Sequence, residues 1–132
     1  MGKPIEEMAL YCFDVDGTID CKENDSEEYL KGVIKTDVLL DLEKQGHKIA
    51  IVSSSPFFPE KWKGDNYWFK RNADGFCRLQ NIRDAQKYHG VSDYETIYID
   101  DLKGVLTMIR DQSNITCFSP KDFLSSIQSI NT

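Results

Sequence analysis

The sequence has no apolar run near the ~20 residues that a membrane-spanning helix requires. Its first ten residues, MGKPIEEMAL, lack the apolar core of a signal peptide, and Glu6 stands where a myristoylation motif needs Ser or Thr. There is no internal repeat, no Gly/Ser linker and no low-complexity tract. Histidine is scarce, with only His47 and His89, and none of the four cysteines forms a Cys-x-x-Cys pair. That composition disfavours a His- or Cys-based metal site and, with no secretory signal, a disulfide framework. Cys12 and Cys117 lie inside strand-like runs and are expected to behave as small buried hydrophobes. A cytoplasmic protein with no membrane attachment is expected.

What is present is the composition of a folded domain. The 132 residues are 40% hydrophobic and 29% charged, with a formal charge of -6. This suffices for one domain over residues 1–132, long enough to bury a core without disulfides or a structural metal. The negative charge disfavours broad, non-specific nucleic-acid binding, but it is uneven. Residues 20–28 carry five acids against Lys22, and residues 61–71 carry four bases against Asp65, interleaved with Trp62, Tyr67, Trp68 and Phe69. Aromatics among bases suit single-stranded nucleic acid through stacking and phosphate attraction. The more ordinary reading is that the rings fill a core or an oligomer contact while the bases stay solvated.

Short apolar runs alternate with amphipathic ones. Residues 8–13, 48–52, 96–99 and 115–118 read as buried strands, each stopped by polar residues. Between them, helices are predicted over 37–45 behind a Thr36 cap, over 82–89 behind an Asn81 cap, over 102–110, and after Ser119 with Pro120 and Asp122 in the first turn. Residues 17–34 read as a polar stretch and residues 56–75 as irregular. The alternation predicts an α/β fold, a three-layer Rossmann-like domain with a mainly parallel sheet. Ligands in such sheets bind outside the carboxyl ends of the strands.

Three of those strand ends carry polar groups suited to one site. The first is followed by Asp14-Val15-Asp16-Gly17-Thr18, the second by Ser53-Ser54-Ser55 and the third by Asp100-Asp101. In extended backbone, residues i and i+2 point the same way, so Asp14 and Asp16 are expected to face one cleft. Gly17 allows a sharp exit, and Thr18 adds a hydroxyl and an amide. Four converging carboxylates repel one another unless a cation or protons offset them. An all-oxygen donor set makes Mg²⁺ the natural occupant. Singly, a DG dipeptide is usually a turn, a DD pair a solvated loop and a serine cluster a helix cap. Their joint appearance at successive strand ends favours a functional site.

The residues FDVDGT (13–18), IAIVS (49–53) and IYIDD (97–101) resemble motifs I, II and IV of the haloacid dehalogenase superfamily of aspartyl phosphatases and phosphotransferases. The resemblance implies roles at the matched positions. Asp14 would attack phosphorus, and Asp16 would act as general acid and then general base. Ser53 would bind a phosphoryl oxygen, joined in substrate binding by Gly17, Thr18 and Ser54. Mg²⁺ would be held by Asp14, the Asp16 backbone carbonyl, Asp100 and Asp101. The basic residue of motif III aligns best with Arg78. Lys87 comes next and is also a candidate substrate-binding residue, and Lys70, Arg71 and Arg83 remain open.

The gaps bear on substrate. Relatives acting on small metabolites usually carry a cap domain, inserted after motif I or after motif II. Here 34 residues separate Thr18 from Ser53, and 24 separate Ser53 from Arg78, too few for a cap. The chain resembles the capless members, notably magnesium-dependent phosphatases over Arg78 to Asp101. IDDLKGVLTMIR and CFSPKDF are similar to the phosphatase half of polynucleotide kinase-phosphatases. The expectation is a phosphomonoester hydrolase for a bulky phosphorylated substrate, with a nucleotide or nucleic-acid terminal phosphate as the specific guess. A phosphoprotein or sugar-phosphate phosphatase is the alternative, as is a non-catalytic binding module on the same fold, and an oligomer is compatible with all three.

Overall fold

The computed structural model describes residues 8–20, 32–52 and 77–131. Four strands form one parallel sheet: β1 (Leu10–Phe13), β4 (Lys48–Ile51), β5 (Thr96–Ile99) and β6 (Thr116–Phe118), in the spatial order β4-β1-β5-β6. Because β1 is flanked by β4 and β5, the chain reverses its direction of winding across the first strand. That reversal opens a crevice at the carboxyl ends of β1 and β5.

Strand parity sorts the core into two layers. Phe13, Ile49, Ile51 and Ile99 face one side, where helix α1 (Thr36–Lys44) brings Leu39 and Leu42 and helix α4 (Pro120–Asn131) brings Phe123. Leu10, Cys12, Ala50, Val52, Tyr98 and Cys117 face the other side. There α2 (Cys77–His89) contributes Ile82 and Ala85, and α3 (Lys103–Gln112) contributes Leu106 and Ile109. Helices on both faces of a parallel sheet explain why the strands read as apolar runs with no solvent-facing alternation. Cys12 and Cys117 are buried free thiols, and burial pushes both thiols up from their ordinary range. None of the helices in the described residues is long and apolar enough to cross a membrane.

Several local expectations are modified. Thr36 is the first residue of α1 and Lys35 takes the cap position without a side-chain bond. α2 starts at Cys77, so Asn81 is an interior residue, almost fully buried, and its Nδ2 donates to the Val52 carbonyl at 3.4 Å. Sequence alone favoured Asn81 as a cap because Asn is a strong N-cap former, but packing of Ile82 and Ala85 on the sheet extends the helix past it. Ser119 does cap α4, accepting from the Asp122 N–H at 3.2 Å, with Pro120 as the first helical residue.

The polar stretch holds a second, two-stranded parallel sheet, β2 (Ile19–Asp20) against β3 (Ile34–Lys35). Ile19 and Ile34 are both fully buried in the α1/α4 layer. Gly32 lets the returning chain lie on the first loop, for a Cβ there would fall 2.1 Å from the Thr18 carbonyl carbon. The main-chain bonds Ile34 N–H to Thr18 O (3.0 Å) and Gly32 N–H to Ile19 O (3.2 Å) fix that contact.

Candidate functional site

Asp14 follows β1 and continues its parity. Even-numbered residues of β1 face α2, so the Asp14 carboxylate enters that side of the crevice, 5% exposed. Asp100 follows β5 by the same rule and is fully buried. Backbone bonds hold both in line with the sheet, Asp14 N–H to Ile99 O at 3.0 Å and Asp100 N–H to Phe118 O at 3.2 Å. Asp101, half-buried, turns in beside them. Oxygens from Asp14, Asp100 and Asp101 all lie within 4.8 Å of one another and could hold a metal ion.

Arg78, in the first turn of α2, answers this negative charge. Its Nη1 lies 3.1 Å from Asp14 Oδ1 and 2.9 Å from Asp100 Oδ2, with the side chain itself 12% exposed. The same nitrogen donates to the Tyr98 hydroxyl at 2.5 Å, and that hydroxyl donates in turn to Asp100 Oδ2. The remaining carboxylate oxygens are also engaged. Thr18 Oγ1 donates to Asp14 Oδ2 at 3.2 Å, and the Leu102 N–H donates to Asp100 Oδ1 at 3.0 Å.

One guanidinium does not balance three carboxylates. Burial first, then the neighbouring Asp100, pushes the Asp14 carboxyl well above the usual carboxylate range, and Arg78 offsets only part of that rise. Burial and contact with Asp100 push Asp101 upward as well. Burial works against the Arg78 charge, but Tyr98, Asp14 and Asp100 outweigh it and raise the guanidinium further. The grouped oxygen-only donors could hold a metal ion.

The other expected residues divide. Gly17 sits at the turn with φ +77°, and the Asp101 carboxylate packs directly over it. Thr18 is fully buried and orients Asp14 through its hydroxyl. Asp16 opens a turn over 16–18, in which the Thr18 and Ile19 N–H groups are both bonded to the Val15 carbonyl. Its side chain is therefore not one of the three grouped carboxylates, and its Oδ1 is buried without a hydrogen-bond partner.

Among the basic candidates within the described residues, Arg78 is the one brought to the carboxylates. Lys87 is exposed in the last turn of α2, about 13 Å further along the axis at ~1.5 Å per residue, because α2 runs away from the crevice. Lys87 stands apart from this group of residues. Arg83 is engaged elsewhere, paired with Asp93 and bonded to Gln86. Ser53, Ser54, Lys70, Arg71, the segment 61–71 and residues 21–28 of the acidic segment lie outside the described residues.

Tyr98 is the residue that reading the sequence missed. Its signal was the i, i+2 spacing from Asp100 on a strand, which puts a buried hydroxyl on the carboxylate's face. Comparison of the chain with protein-family models, with curated proteins and with solved structures finds no match in any of the three.

Proposed function

We propose that this chain is a Mg²⁺-dependent phosphomonoester hydrolase of the haloacid dehalogenase type, working through an aspartyl-phosphate on Asp14. The observation that carries the reading is the grouping of Asp14, Asp100 and Asp101 oxygens within 4.8 Å, with Arg78 bonded to two of the three. Asp14, Asp100 and Asp101, with the Asp16 backbone carbonyl, would hold the cation. Bound there, Mg²⁺ would offset the repulsion that raises the Asp14 carboxyl and neutralise charge on the phosphoryl group.

The chain's own residues supply the rest. The Asp14 carboxylate, aimed by the Thr18 hydroxyl, attacks phosphorus as the bond to the leaving oxygen breaks. Asp16 gives its proton to that leaving oxygen. Water then attacks the phosphoryl group, Asp16 takes a proton from it, and Asp14 is released with inorganic phosphate. Arg78 has five N–H donors, and those beyond Nη1 suit a phosphoryl oxygen.

Helix ends support an anionic substrate. The helices of the opposite layer, α1 and α4, have acids in their first turns, Asp37 and Asp122. α2 and α3, on the Asp14 side, have none there, and instead begin with Arg78 and Lys103. A base in the first turn works against the helix dipole, a local cost that binding negative charge at the crevice explains. For a substrate, a bulky phosphomonoester is favoured, a nucleic-acid terminal phosphate above others.

The test is phosphate release from an aryl phosphate, 3′-phosphorylated oligonucleotides, phosphopeptides and sugar phosphates. Wild type is compared with Asp14→Asn, in Mg²⁺ and in chelator. Release that needs both the cation and Asp14 is expected, and release that survives Asp14→Asn would overturn the reading.

A further inference from the structure

We propose that Tyr98 is a positioning residue for this site: its hydroxyl ties Arg78 to Asp100, holding guanidinium and carboxylate in register beside Asp14. The purpose assigned to that tie rests on the function proposed above, while the tie itself is measurable without it.

Tyr98 is fully buried, within the layer that holds Cys12, Ile82, Ala85 and Leu106. For packing alone, Phe would serve, and the hydroxyl brings a polar atom into the core that must be bonded to be tolerated. Both of its bonds go to the site: it accepts from Arg78 Nη1 and donates to Asp100 Oδ2. Nη1 carries two hydrogens and serves three oxygens, those of Tyr98, Asp14 and Asp100. The phenol oxygen fixes where that nitrogen stands between the two carboxylates.

The same bond completes the hold on Asp100. Oδ1 is held by the Leu102 N–H, and Oδ2 by Tyr98 and Arg78. Rotating the carboxylate would break all three bonds, so together these partners hold Asp100 in one orientation. Asp101 is held differently: half-exposed, it packs over Gly17 and its carboxyl bonds with those of Asp100 and Asp14. Fixed carboxylates lose less freedom on meeting a cation, which is how groups behind metal ligands tune a site.

Tyr98→Phe removes one oxygen and keeps the ring. Three measurements read the effect. The first is a double-mutant cycle of Tyr98→Phe with Arg78→Lys, from urea unfolding in chelator. The second is the Mg²⁺ concentration at half-maximal rise in unfolding midpoint, and the third is kcat against KM for an aryl phosphate.

The cycle is expected to be non-additive by several-fold in the unfolding constant. The Mg²⁺ midpoint should move up about 10-fold and kcat should fall about 10-fold, with KM little changed. Ile109→Val, a conservative change in the same core layer away from the site, should lower stability with no shift in the Mg²⁺ midpoint. An additive cycle overturns the proposal, and so does an unchanged Mg²⁺ midpoint in a wild type that responds to the cation. Where wild type neither binds Mg²⁺ nor releases phosphate, the proposed function falls, and the cycle alone decides the positioning role.

Discussion

Gly17 has no room for a side chain because Asp101 occupies it: a Cβ at Gly17 would lie 2.1 Å from Asp101 Oδ2. The glycine also holds φ at +77°, where an L side chain is strained. One position therefore sets both the turn after Asp14 and the place of the third carboxylate.

Gly17→Ala should cost about 1–2 kcal/mol from the backbone alone. The alanine methyl would also push Asp101 away from Asp14 and Asp100. The variant should thus lose much of the Mg²⁺-dependent rise in unfolding midpoint while still folding in chelator. Thermal unfolding with and without Mg²⁺ separates the two effects.

Asp14→Asn should stabilise the metal-free protein at neutral pH. The folded-state carboxyl is pushed up by burial and by Asp100, so its stabilising share is complete below the unfolded pKa of ~3.9 and is lost as pH rises through the folded value. Urea unfolding in chelator from pH 4 to pH 8 should show the difference grow with pH. Saturating Mg²⁺ should erase it or reverse its sign.

Asp93 behaves in the opposite sense. Its bond from Arg83, then those from the Asn114 N–H and the Gln86 side chain, lower its pKa to about 2 against burial. That stabilisation is present above the unfolded value of ~3.9 and lost as pH falls towards 2. Asp93 joins α2, the turn at 93–95 before β5, and the loop entering β6, but its ion pair is largely solvated and its worth is discounted accordingly. Asp93→Asn should cost about 1 kcal/mol at pH 7 and nothing near pH 2, as urea titrations at the two pH values would read.

How much was legible in the sequence follows from how local each feature is. The four sheet strands and the Ser119-Pro120 helix start were readable because apolar runs and caps are written in adjacent residues. Asp14 and Asp100 were readable because they end such runs. The pairing of β2 with β3 was not, since Ile19 and Ile34 lie in a polar stretch and their burial depends on two distant segments meeting. Arg78 could not be separated from Lys87 by residue type, and only the direction of α2 decides between them.

The central place of β1 also governs when the site can exist. Its partners lie far along the chain, with Leu10 opposite Lys48 on one side and Thr96 on the other. Parallel pairing over such separations is slow to form because loops must close before contacts reward them. Arg78 and Asp100 follow Asp14 far along the sequence, so Asp14 stays without them until those later segments have been made. A nascent chain that stops short of β5 thus carries Asp14 with neither Asp100 nor Asp101 beside it, and the grouping of charges exists only once β5 has paired with β1.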